Sequence, residues 1–218
     1  MPKVPAKRRK TASEPAEPPV RTLTLTVSRV LRPNQQKRRH RVVEAAMELA
    51  ATGGYEAVNM REVSARSRVS LGTVYRYFSS KDHLLAEALV RWGGELGDRL
   101  RERRPRGRTA AARVAEVFER MSRGVAQKPE LGIALTRALL SGDPGAFANR
   151  DGLAAMMREW LDIAIADEKV RNREVVVEAL ELLCFASMIE LATGQRSAAQ
   201  VGEQLQRVAR VVLAPRSG

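Results

Sequence analysis

A chain of 218 residues with 44% apolar side chains can bury a real core, either as one medium domain or as a small domain joined to a larger one. The single cysteine, Cys184, excludes an internal disulfide and fits a reducing, cytoplasmic setting. Of the formal net charge of +13, most lies at the front: residues 1–43 carry twelve Lys and Arg against two Glu, while residues 44–92 balance six against six. A basic arm on a nearly neutral body points to a polyanionic partner.

Residues 1–20 are Lys, Arg, Pro, Glu and Ala with almost no large apolar side chain. They cannot bury enough surface to offset ordering entropy, so residues 1–33 are expected to form a disordered basic extension. Residues 21–33 alternate Thr, Leu and Val in a way that reads as a short strand or extended arm. No apolar run of signal-peptide length follows the first charges. The most apolar stretch, residues 175–192, is interrupted by Glu178, Glu181 and Glu190. It is a poor membrane span, and no membrane partner is expected.

From Asn34 on, the apolar spacing turns helical. Val42, Val43, Ala46, Leu49 and Ala50 share one face, and Gly53–Gly54 stops the helix. Asn59 is an N-cap for a second helix over residues 60–67, Ser70 for a third over 71–78, and Ser80 for a fourth beginning at Lys81. Gly93–Gly94 interrupts the fourth pattern and reads as a pivot or a frayed end. Later helices are predicted at 109–126, 129–141, 146–168, 172–193 and 198–213. The 172–193 helix is apolar nearly all round, as a helix with more than one covered side would be.

Two helices of about seven residues joined only by Arg68-Val69-Ser70 make a helix-turn-helix, whose second helix enters the major groove. Val74 and Phe78, at i and i+4, dock that helix on the core. Gly72 lets its start approach the phosphate backbone. Thr73, Tyr75 and Tyr77 can donate to phosphates or stack on sugars, and Lys81 adds charge at the next helix start. The run Lys37-Arg38-Arg39-His40-Arg41 can track phosphates or reach the minor groove.

Residues 36–92 resemble the DNA-binding domain of the TetR/AcrR family of regulators. The resemblance is carried by Gly54-Tyr55-Glu56-Ala57, by Met60-Arg61-Glu62-Val63, by Val69-Ser70-Leu71-Gly72-Thr73-Val74-Tyr75-Arg76-Tyr77-Phe78 and by Ser80-Lys81-Asp82-His83-Leu84-Leu85. It implies that Thr73, Tyr75 and Tyr77 contact the DNA backbone or base edges. It also implies that Ser70, Leu71 and Arg76 help read the groove, and that Lys81 binds phosphate. Arg68 stands where the family often has Gly, so it takes an uncomfortable backbone angle or adds a DNA contact. Asn59 replaces the usual Thr and caps equally well. A finer resemblance, through Gly53-Gly54-Tyr55-Glu56-Ala57-Val58-Asn59-Met60-Arg61 and Lys128-Pro129-Glu130-Leu131, is to repressors of the KstR type, which respond to steroid CoA thioesters.

The resemblance implies an all-α protein of about nine helices. Residues 34–80 would form the DNA-binding domain, and 81–218 a larger helical effector-binding and dimerisation domain whose last two helices build a homodimer interface. Trp92, Leu96, Met121, Leu135, Leu139, Met156, Trp160, Phe185 and Met188 are the candidate effector-binding walls, suited to a small apolar effector. The Arg-rich residues 99–108 would serve an anionic group or form a solvated linker. The partners expected are an operator in double-stranded DNA, that effector and a second copy of the chain, with effector binding releasing a repressor. No cofactor or metal is expected. His40 and His83 lack ligand spacing, and no catalytic constellation is visible, so an enzyme is not expected. The alternative reading is a DNA-binding architectural protein without a ligand.

Overall fold

The computed structural model describes residues 33–166 and 168–214; the expected basic extension and the strand at 21–33, up to residue 32, lie outside them. Ten helical segments and no strand are found among the described residues. The first, α1 (Pro33–Ala57), has proline at its first position, where the missing N–H costs nothing. Its regular part ends at the two glycines: Gly54 has φ 66° and ψ −161°, a conformation essentially reserved for glycine, and a single turn follows. Then come α2 (Met60–Ser67) and α3 (Leu71–Tyr77). The Asn59 side chain accepts from the Glu62 N–H at 2.9 Å and caps α2. Ser70 does not cap α3 in the same way. Its hydroxyl donates to Thr73 Oγ1 at 2.9 Å, and its carbonyl accepts the Thr73 and Val74 N–H groups.

The turn between α2 and α3 is made by Arg68 in the left-handed region, φ 54°, with its N–H returned to Ala65 and Ser64 carbonyls. The doubt raised by an Arg at this place is therefore real. Arg68→Gly is expected to raise the unfolding free energy by up to about 1 kcal/mol, since glycine occupies this region without the Cβ penalty. Thermal melts of the two proteins check this. A lower melting temperature would mean that the Arg68 side chain stabilises the turn by more than its backbone strains it.

Helix α4 (Lys81–Glu102) is continuous. The expected interruption at Gly93–Gly94 is absent, and the reason for the first glycine is packing. A Cβ on Gly93 would lie 2.3 Å from Met156 Sδ and 3.2 Å from the Trp160 ring. Helices α5 (Ala110–Gln127) and α6 (Pro129–Leu139) follow. The single helix predicted at 146–168 is two, a one-turn α7 (Pro144–Phe147) capped by Asp143, and α8 (Arg150–Ile165). The latter ends at Ile165, where Ala166 leaves the helical backbone (φ 49°, ψ −133°) and the Arg113 guanidinium satisfies the freed carbonyls of Ala164 (2.6 Å) and Ile165 (3.1 Å). Helices α9 (Arg173–Ala192) and α10 (Ala198–Val212) close the described chain, the second opened by a capping box of Ser197 and Gln200.

α4 is the spine, packing on α1, α6, α7 and α8. α1 also lies along α6, α5 along α10, and α9 against α6, α8 and α10. The described residues form one compact unit, so no gap in packing separates the helix-turn-helix from the remainder. Phe78, Phe118, Leu84, Leu85, Leu100, Leu131 and Leu135 are among the largest side chains fully withdrawn from water.

Candidate nucleic-acid interface and effector cavity

α3 is fixed by Val74 and Phe78, both fully buried, as the i, i+4 pair requires. Ser70, Gly72, Tyr75 and Arg76 are exposed, and Leu71, Thr73 and Tyr77 half-buried. A Cβ at Gly72 would meet nothing within 4 Å. The approach to a phosphate is open there, but the protein itself does not demand glycine. Tyr77 leans on Phe78 edge-on, and its hydroxyl is buried without a protein partner. Asn59 and Arg68 are exposed at the start and end of α2.

The basic run at the start of α1 divides. Lys37, Arg38 and Arg41 are exposed. Arg39 instead pairs with Glu87 of α4, its guanidinium 5.1 Å from the Phe78 ring centre. It braces the recognition helix from behind. Lys81 is also engaged: its Nζ sits 3.7 Å from the Tyr55 ring centre and 3.8 Å from Glu56. Tyr55 donates its hydroxyl to Asp82 Oδ1 at 2.6 Å. Burial, reinforced by that carboxylate, pushes the phenol above its ordinary range and keeps it a neutral donor.

Of the residues expected to wall an effector site, Trp92, Leu96, Met121, Met156, Trp160 and Met188 line one cavity. Its interior space is about 100 Å³ and it is open on one side; that is less than the roughly 300–1,000 Å³ of small-molecule sites, so a large ligand has to widen it. Leu135, Leu139 and Phe185 do not line it. α6 turns Gly132 and Thr136 toward the space instead; with about 100° per residue, Leu135 and Leu139 point into the core, where both are buried. Phe185 lies under the Arg150 guanidinium. Met157, Cys184 and Leu191 complete the apolar wall. Burial pushes the Cys184 thiol up to about 12. Beside the Met121 sulfur at 3.8 Å, it is wall, not nucleophile.

The cavity adjoins a second, polar recess that shares Trp92, Leu96, Arg99, Arg120 and Gly124 with it. Six cations, Arg99, Arg103, Arg106, Arg120, Arg123 and Lys128, face three glutamates there. Burial opposes ionisation of Glu116, but hydrogen bonds from Arg120 and from the Arg106 N–H outweigh it and hold the carboxyl below its usual range. Arg120 is thereby occupied, whereas Arg103, Arg106 and Lys128 make no ion pair among the described residues.

Comparison with known proteins accounts for both halves. Residues 42–88 match the family described as bacterial regulatory proteins, tetR family, and residues 107–212 match the tetracyclin repressor-like C-terminal domain. The transcriptional repressor KstR of Rhodococcus jostii is 33% identical over 82% of this chain and 84% of its own length. The chain belongs to the TetR family. KstR of Mycobacterium tuberculosis is 30% identical over 93% of the chain and 94% of its own. A crystal structure of a TetR regulator from Rhodococcus sp. RHA1 superposes with a TM-score of 0.73 at 25% identity, covering 84% of this chain and all of that one. The TetR family assignment makes α2 and α3 the DNA-binding helix-turn-helix of a transcriptional regulator. None of the helices described is long and apolar enough to cross a membrane.

Within that TetR frame, Tyr75 is the exposed aromatic on the recognition helix, with 52% of its surface accessible. Tyr75→Ala is expected to leave the melting temperature unchanged and to weaken binding to a selected duplex roughly tenfold, about 1.4 kcal/mol. Fluorescence anisotropy on that duplex reads the effect. Unaltered affinity in a folded variant would displace Tyr75 from the interface.

Proposed function

We propose that this chain is a homodimeric repressor, released from its operator by an amphiphile with an apolar body and an anionic head. The observation that carries the reading is the junction of the two recesses: an apolar chamber walled by Trp and Met adjoins a polar recess where Arg103 and Arg106 make no ion pair among the described residues. An apolar chain or ring system gains from the first; a phosphate-bearing group such as that of a CoA thioester gains charge-assisted hydrogen bonds from the second. The KstR relatives carry the word repressor in their names, which supports the sign of regulation. On the DNA side, Lys37, Arg38, Arg41, Asn59, Arg68, Ser70, Leu71, Gly72, Thr73, Tyr75, Arg76, Tyr77 and Lys81 form the proposed contact set, with Arg39 as its support.

Homodimerisation is supported by α9. Its buried face is Val177, Leu180, Cys184 and Ser187. Val175, Leu182 and Ile189, spaced by seven and therefore on one stripe, are exposed, as are Val211 and Val212 of α10. An apolar stripe of this kind on a soluble helix calls for a partner.

The test is release of the full chain from a duplex selected from a random library. Lauroyl-CoA and a steroid-acid CoA thioester are compared with CoA alone and with the free acids. Release by a thioester at concentrations where CoA and the acid are inert supports the reading. If no amphiphile releases the protein or raises its melting temperature, the ligand-free architectural reading replaces it. Release works only through a difference in affinity between the DNA-bound and free conformations.

A further inference from the structure

Lys81 reaches DNA, on the reading above, from a crowded place. Its ammonium lies over Tyr55, donates to the Tyr55 carbonyl at 3.5 Å, and stands 3.8 Å from Glu56 Oε2. A second cation shares both partners. Arg137, on α6, pairs with the other oxygen of the same carboxylate, Glu56 Oε1, at 3.0 Å, and its guanidinium lies 4.3 Å from the Tyr55 ring centre. One carboxylate and one aromatic ring are thus divided between a residue at the DNA face and a residue of the effector half. Arg137 holds the shorter ion pair. The Tyr55–Asp82 hydrogen bond anchors the ring between them.

We infer that Arg137 is a positioning residue for Lys81: by engaging Glu56 and Tyr55 it keeps the Lys81 ammonium free for a DNA phosphate. The inference rests on Lys81 being a phosphate contact. A carboxylate bonded to a guanidinium has less attraction left for a second cation. Without Arg137, Glu56 turns its full charge on Lys81 and holds it off the DNA. The residue preceding Arg137, Thr136, borders the cavity, so the same helix touches the effector space and the group that sets Lys81.

The salt dependence of DNA binding reports this directly, because each neutralised phosphate contributes about 0.9 to the slope of log affinity against log salt. The full chain is titrated on the selected duplex at several salt concentrations, with melting curves confirming that each variant is folded. Lys81→Gln is expected to lower the slope by about 0.9 per helix-turn-helix, which is roughly a threefold smaller loss of affinity per site between 50 and 200 mM salt. Arg137→Gln should lower the slope by a similar amount, although Arg137 belongs to α6 and not to the helix-turn-helix. Adding Glu56→Gln to Arg137→Gln should restore it, and Arg137→Lys should stay near wild type. A merely structural role for Arg137 would shift affinity at every salt concentration without changing the slope. An Arg137→Gln slope equal to wild type, with Lys81→Gln lowered, overturns the inference while leaving Lys81 at the phosphate. An unchanged slope in Lys81→Gln overturns the reading of Lys81 itself and the inference with it.

Discussion

Phe78→Ala is expected to cost about 3–5 kcal/mol of unfolding free energy, the range for truncating a fully buried phenylalanine. The ring is wholly withdrawn from water at the C-terminal end of the recognition helix. It meets Tyr77 edge-on at 6.5 Å between centres, His83 at 5.4 Å and the Arg39 guanidinium at 5.1 Å. One side chain therefore joins α3, the first turn of α4 and the start of α1. Total stabilities of domains are about 5–15 kcal/mol, so this loss is a large fraction. For a chain of this length each kcal/mol moves the melting temperature by about 2–4 °C, and a fall of at least 6 °C is anticipated. DNA affinity should fall with it, because α3 loses its main anchor. Calorimetry or urea denaturation measures the first effect, anisotropy the second. A loss below about 1 kcal/mol would mean that the neighbours collapse into the space, and that Val74 alone suffices to hold the helix.

The helix-turn-helix was legible in the sequence because every signal there is local. Asn59 and Ser80 are caps whose partners lie three residues on, and Val74 and Phe78 are set by helical period alone. Even the difficulty at Arg68 was visible, since a non-glycine residue had to occupy the turn. Most of what failed depended on neighbours distant in sequence; the side chain of Ser70, which bonds Thr73 instead of capping α3, is a local exception. Gly93 looked like a helix breaker until Met156 and Trp160 were found against it. The end expected at residue 168 came at Ile165, where Arg113, 51 residues away, takes the Ala164 carbonyl and also that of Ile165. The cavity shows the same division. Large apolar residues such as Met156 and Trp160 announce themselves, but size does not say which face of a helix is used. Leu135 therefore went to the core while Gly132 and Thr136, which carry no apolar signal, border the space. Arg39 was counted with its basic neighbours because charge runs look uniform in one dimension; its partner Glu87 is 48 residues away.

Leu182→Glu is expected to turn the proposed dimer into a monomer without harming the fold. Leu182 is 64% exposed in the single chain, and a substitution at such a site ordinarily changes folding stability by no more than about 0.5 kcal/mol. In a dimer the same position would bring two carboxylates into an apolar contact, each without a cation to meet it, and that is a cost of several kcal/mol. The contrast separates the two states with one variant. Sedimentation equilibrium should show half the mass, and circular dichroism the same helical content. Binding to the selected duplex should weaken by at least about 100-fold, because two linked recognition helices gain that much from effective concentration and a monomer gains none. Ile189→Glu, one stripe position further along α9, should behave alike. A dimer that survives both substitutions would move the interface off α9. In that case Val211 and Val212 of α10, the other exposed apolar residues near the end of the chain, become the place to put the charge.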